Sequence, residues 1–165
     1  MSAMPQTSPP TSTPPGRLAQ FRALSAAQQR TLLAASVYLP LCWLGLRFMG
    51  LPRLQAWLQR RPLVAATPAP ALALADIQAL GEAVNIAARH TPFHATCLTR
   101  SLLLGWLLRR RGVASELRIG VRLTQGTLDA HAWVECGGVP VNDRPDIATQ
   151  FAPFGDLVPL DAFQS

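Results

Sequence analysis

Apolar positions follow two regimes along this chain of 165 residues. Before about residue 111 they recur at helical spacing or run together; from Leu117 onward they alternate with polar residues. Residues 17–60 read as apolar and helical. Ser25 is positioned to cap a helix that continues through Ala26, Ala27, Gln28, Gln29 and Arg30. Pro40 is expected to kink or split that helix, and a second short helix fits Leu51–Arg60. A linker follows at Arg61–Pro70, where Pro62, Pro68 and Pro70 flank small residues. Ile77, Leu80, Val84 and Ala87 form the next helical stripe, with Asp76 in a capping position and Thr91-Pro92 as the break. A further helix fits Cys97–Arg111, which closes on three arginines and Gly112 as a helix stop should.

The period then changes to two. Leu117, Ile119, Val121 and Leu123 alternate with Arg118, Gly120 and Arg122, and Gln125-Gly126-Thr127 turns the chain. Leu128, Ala130, Ala132 and Val134 alternate with Asp129, His131, Trp133 and Glu135 in a second strand. Gly137-Gly138 turns again, and Val139–Asp143 fits a third strand. Helices first and an antiparallel sheet afterwards make an α+β fold.

Composition refines this picture. Residues 1–16 hold five Pro with Ser, Thr and one Gly, the makings of a disordered tail. Residues 17–165 are expected to form one domain, with 17–70 as its helical N-terminal part and 71–165 as its core. Met1–Gly16 has neither the basic nor the apolar region of a signal peptide. The longest apolar run, Leu32–Leu46, is shorter than the roughly 20 residues of a spanning helix. It reads as a helix buried in the core or lying at an interface, so membrane contact is not expected. All 15 basic residues are Arg; seven lie in residues 1–75, which hold no Asp or Glu. That half suits an acidic peptide, a partner protein or anionic lipid, or is an ordinary solvated surface in an Arg-rich protein. Cys42, Cys97 and Cys136 are too few and too irregular for a disulfide framework, which favours a cytoplasmic setting.

The chemistry concentrates on Cys97, His131 and Asp143. Cys97 stands where a helix should begin, and unpaired amide N–H groups there stabilise a thiolate. The plainer role for Cys97 is a small buried apolar residue. With a three-residue loop Cys136-Gly137-Gly138, Glu135 faces Val139 and His131 faces Asp143, with Cβ atoms about 5 Å apart. A carboxylate there fixes the imidazole tautomer and leaves the other ring nitrogen for a thiol. A two-residue loop shifts the register by one and turns Asp143 to the other face. Asp146 is the reserve for the orienting carboxylate, because Pro140 can make the third strand irregular. A rival set, His90, His94 and Cys97, has zinc-like spacing but is interrupted by Thr91-Pro92, and its fourth ligand would have to come from Cys136, His131 or an Asp.

Thiol, imidazole and carboxylate in this chain order match the papain-like arrangement. The stretch His94-Ala-Thr-Cys97-Leu-Thr-Arg-Ser101, the helix end Leu-Leu-Arg-Arg-Arg-Gly112, the strand Leu117-Arg-Ile-Gly-Val121 and Ala130-His-Ala-Trp-Val-Glu135 go further. They resemble the transglutaminase-like leader peptidases of lasso-peptide biosynthesis, the B-protein family. The resemblance covers about residues 20–148 and is strongest from Thr91 to Asp143. It implies a papain/transglutaminase-like core with the nucleophile at a helix N-terminus. It also implies Cys97 as nucleophile, His131 as base and Asp143 as its orienting partner, with no metal or nucleotide cofactor. The implied task is removal of a leader peptide from a ribosomally made precursor, so that a cyclase can form the macrolactam. Family members carry a winged-helix-like recognition domain or pair with a separate one. Nothing before residue 70 looks like that domain, which implies a separate recognition protein. Nucleic acid is not an expected partner. An acyl transferase using the same thioester and a catalytically inactive or zinc-stabilised adaptor remain as alternatives.

Overall fold

The computed structural model describes residues 26–60 and 72–153 of the chain. The Pro-rich stretch 1–16, the Ser25 cap and the linker Arg61–Pro70 lie outside these residues. Among the described residues three helices precede a four-stranded antiparallel sheet, an α+β arrangement. The helices are α1 (Ala26–Arg60), α2 (Leu74–Arg89) and α3 (Cys97–Arg110). The strands β1 (Glu116–Thr124), β2 (Thr127–Cys136) and β3 (Val139–Pro140) follow, then a single turn α4 (Ile147–Gln150) and β4 (Ala152–Pro153). The sheet order is β3-β2-β1-β4.

The helix α1 does not break where Pro40 suggests. It runs through Pro40 and breaks at Gly50, whose φ of 74° and ψ of 168° are non-helical. Pro40 forfeits one backbone hydrogen bond, but Leu39 and Cys42 beside it are buried and hold the helix in place. Gly50 is a cheaper place to bend, because it reaches positive φ without a Cβ clash. Leu51–Arg60 then restarts the helix, as its pattern predicts, with Leu54 and Leu58 buried. Asp76 is not the cap of α2. Ala73 holds that position without a side-chain bond, and Asp76 sits in the first turn. The α3 boundaries match expectation to one residue, and Thr96 caps it by accepting the Thr99 N–H at 3.3 Å.

Leu39, Val84, Leu103, Leu104 and Leu108 are completely enclosed between the three helices, with Val134 and Val141 of the sheet side joining them. The β1–β2 ladder pairs Glu116 with Glu135 through Thr124 with Thr127, leaving Gln125 and Gly126 at the turn, both with positive φ. The alternation predicted for these strands fails at the hairpin tip. Leu123 and Leu128 are 73% and 67% exposed, since the hairpin extends past the helix layer. Its opposite face, which looks polar in the sequence, is partly covered by Ile147 and Phe151 packed on Trp133.

Helix α2 approaches the segment after β3 so closely that a Cβ at Gly81 would overlap the Val141 carbonyl oxygen. Gly81→Ala is therefore expected to destabilise the protein by about 1–3 kcal/mol. A shift in the urea midpoint measures it, and an unchanged midpoint contradicts this account.

Candidate active site

The β2–β3 connection decides how Asp143 is delivered. Cys136 pairs with Val139 and Glu135 with Pro140, so the loop is Gly137-Gly138 alone, both with positive φ. The expected three-residue loop and the Glu135–Val139 register are thus incorrect. Two glycines satisfy a two-residue turn of positive φ without strain, so Cys136 stays in the ladder. Continued as a strand, this register would put Asp143 on the wrong face. Yet Asp143 Oδ2 lies 2.6 Å from His131 Nε2.

The reconciliation is that β3 stops at Pro140. Val141 N–H still donates to Val134 O at 2.9 Å, but the reciprocal bond is not made by the backbone. Val134 N–H donates instead to Asn142 Oδ1 at 2.8 Å, while the Val141 carbonyl lies against Gly81. The side chain of Asn142 thus replaces a ladder carbonyl and frees the next residues to bend. The same amide donates from Nδ2 to Ser101 Oγ at 3.0 Å, and Ser101 donates to Ala132 O at 3.0 Å. The Asn142 main-chain oxygen accepts from Asn85 Nδ2 at 2.9 Å, and Asn85 Oδ1 accepts from Arg100 Nη1 at 3.2 Å. Three elements, α2, α3 and β2, meet on one buried asparagine, next to Asp143.

His131 is itself confined. Its ring lies 5.3 Å from the Phe151 ring and 6.3 Å from that of Trp133, measured between centroids. Gly120 pairs with His131 across the ladder, and its missing side chain leaves room for Phe151 and Trp133. Trp133 Nε1 donates to Glu135 at 2.7 Å, and Arg118 Nε donates to the other Glu135 oxygen at 3.1 Å. That pairing satisfies a carboxylate that is otherwise buried. With Nε2 engaged by Asp143, Nδ1 is the ring nitrogen left for another group.

Cys97 is the first residue of α3 and half-buried. It shares a helix face with Ser101, one turn further on, and Ser101 is bonded to the carbonyl next to His131. Cys97 therefore lies about 6 Å along the helix axis before that anchor. Its sulfur makes no hydrogen bond among the described residues. The structure thus joins His131 to Asp143 directly and Cys97 to them only through the Ser101 contact. Asp146 is engaged elsewhere: it accepts from Gln150 Nε2 at 2.7 Å and from Arg144. The Gln150 amide, aided by Arg144, holds its carboxyl below the usual range. His90 and His94 are exposed, His90 Nδ1 pairs with Ile86 O at 2.8 Å, and no metal-ligating group of three side chains occurs among the described residues.

Burial pushes Cys42 up to about 11, and burial also raises Cys136. A groove of about 630 Å³ opens beside the site, with Glu82, Asn85, Arg100, Asn142, Asp143 and Arg144 among its walls. Nothing in the linear pattern marks Asn142, Asn85 or Gly81. Ser101 does carry a signal: a serine within a leucine-rich helix must find a partner once buried.

Residues 42–155 match the family model of the transglutaminase-like superfamily. The microcin J25-processing protein McjB of Escherichia coli is 37% identical over 65 residues, which are 39% of this chain and 30% of that protein. The match thus spans under a third of the relative's length. No solved structure matches the chain.

Ser101→Ala and Asn142→Ala are each expected to cost about 1–3 kcal/mol in urea unfolding. Their shared bond should make the double variant lose less than the sum, by about 1 kcal/mol; strict additivity would mean the bond carries nothing. In limited alkylation near neutral pH, Cys97 should react first, with Cys42 and Cys136 labelled only as pH rises. Peptide mapping that finds Cys136 modified before Cys97 contradicts this order.

Proposed function

Because the chain belongs to the transglutaminase-like superfamily, we propose that it is a cysteine peptidase that removes the leader from a ribosomally made lasso-peptide precursor. The observation that carries this reading is the 2.6 Å bond from His131 Nε2 to Asp143, beside a helix whose first residue is Cys97. The name of its partial relative, a processing protein for microcin J25, supports the substrate class.

The chemistry follows from the roles. Asp143 accepts a hydrogen bond from Nε2–H and so fixes the tautomer, leaving Nδ1 of His131 to take the thiol proton of Cys97. The thiolate attacks the scissile carbonyl, and the Cys97 N–H at the helix start is one donor for the oxyanion. His131 then protonates the departing amine, and water, activated by the same imidazole, hydrolyses the thioester. Catalytic hydrogen bonds commonly tighten only when substrate is bound, which accommodates the unpaired sulfur. The setting is the cytoplasm. A separate recognition protein presents the leader, and a macrolactam-forming cyclase takes the freed core peptide. The walls of the groove beside Asp143, with Arg100, Asn85 and Glu82, are suited to an extended peptide backbone with its polar groups.

Incubation with a precursor and its recognition protein, read by mass spectrometry, tests the reading. Two fragments summing to precursor plus water are expected. A cross-linked product with loss of ammonia would indicate acyl transfer instead. Cys97→Ala should abolish cleavage with the fold intact, and Asp143→Asn should slow it by about 10²- to 10⁴-fold. Processing that survives Cys97→Ala would reduce the chain to an adaptor.

A further inference from the structure

Helix α1 has an outer face that the described residues leave open. Leu32, Ala35, Leu39 and Cys42 turn inward and are buried. Leu33, Val37, Leu41, Leu44 and Phe48 recur at steps of three or four on the other side, and Leu33 and Phe48 are 60% and 77% exposed. This stripe is about 22 Å long. The most apolar 18-residue window of the helix is only 17% buried, although the helix is long and apolar enough to cross a membrane. Spanning is excluded by the inward side, which packs into the core, and by the bend at Gly50. Such a helix can instead lie in the plane of an interface with its outer face in the lipid.

Charge identifies which surface. The charged residues of α1 are Arg30, Arg47, Arg53 and Arg60, all exposed, and residues 1–75 contain seven Arg and no acid. Trp43 and Trp57 are part-exposed on the same helix, as aromatic residues at a lipid–water boundary are. A cavity of about 350 Å³ between the two halves of α1 and the Leu103–Trp106 stretch of α3 takes Leu41, Leu44 and Phe48 of this stripe, with Trp57, into its lining. An apolar stripe rimmed only by guanidinium groups is complementary to acyl chains beneath phosphate headgroups.

We propose that the outer face of α1 docks the protein on an anionic phospholipid bilayer. This departs from the expectation that membrane contact is absent, because the sequence alone does not show that one side of the apolar run stays uncovered. The proposal is independent of the catalytic reading.

Co-sedimentation of the full chain with vesicles of phosphatidylcholine, with and without phosphatidylglycerol, tests it. Binding to the anionic vesicles only, weakened on the order of tenfold by raising salt, is expected. Val37→Ser/Phe48→Ser, at exposed positions, should bind at least about tenfold more weakly with unchanged circular dichroism. Cys97→Ala should bind like the parent chain, which separates this test from that of the peptidase. No binding to anionic vesicles overturns the proposal, as does full binding by the double serine variant. So does a concentration-dependent dimer that the double serine variant dissociates, since a second copy would then cover the face.

Discussion

One side-chain amide holds the site together. Asn142 accepts the Val134 N–H that the strand would otherwise give to Val141, and so lets β3 end after two residues. A longer β3 in the observed register would carry Asp143 to the far face of the sheet. A β3 that ended without a substitute acceptor would leave a buried N–H unpaired, at a cost of about 1–3 kcal/mol. The amide removes this conflict, and its second bond, to Ser101, ties the bend to the helix that begins with Cys97.

The consequence is a candidate site whose three side chains have very different supports. Asp143 depends on a bend braced by α2, α3 and β2 together. His131 depends on the sheet and on aromatic neighbours, for which Gly120 leaves space. Cys97 depends on Thr96, which caps the helix, and on the packing of α3 against β2. The imidazole and carboxylate are already in contact, whereas the thiol is the free member. Such a division suits a nucleophile that must leave its base to form and lose a thioester, while the base stays oriented throughout.

The N-terminal helix serves two surfaces at once. Its inner stripe completes the core over α2 and α3, and its outer stripe is as apolar but not covered by any of the described residues. A helix apolar on every side is ordinarily buried on every side. Here only the inner side is, so the remaining apolar surface calls for a function rather than for more core.

Helix identity and the switch from period 3.6 to period 2 were legible in the chain, because each rests on local pattern, and the same pattern singled out Cys97, His131 and Asp143 as candidates. Cys97 opens its own helix directly after the capping residue Thr96, and Gly112 and the Gly137-Gly138 pair mark their turns by backbone freedom alone. The pairing of His131 with Asp143 was anticipated through a register that the protein does not adopt. Turn chemistry set the register to Gly-Gly, and only contacts from residues 57 and 41 positions away, Asn85 and Ser101, bent the chain so that the carboxylate returned. The break at Gly50 instead of Pro40, the cover that Phe151 gives the sheet and the bare side of α1 were likewise decided in three dimensions. Each depends on which surfaces meet, and spacing along a chain records what a segment can bury but not what arrives to bury it.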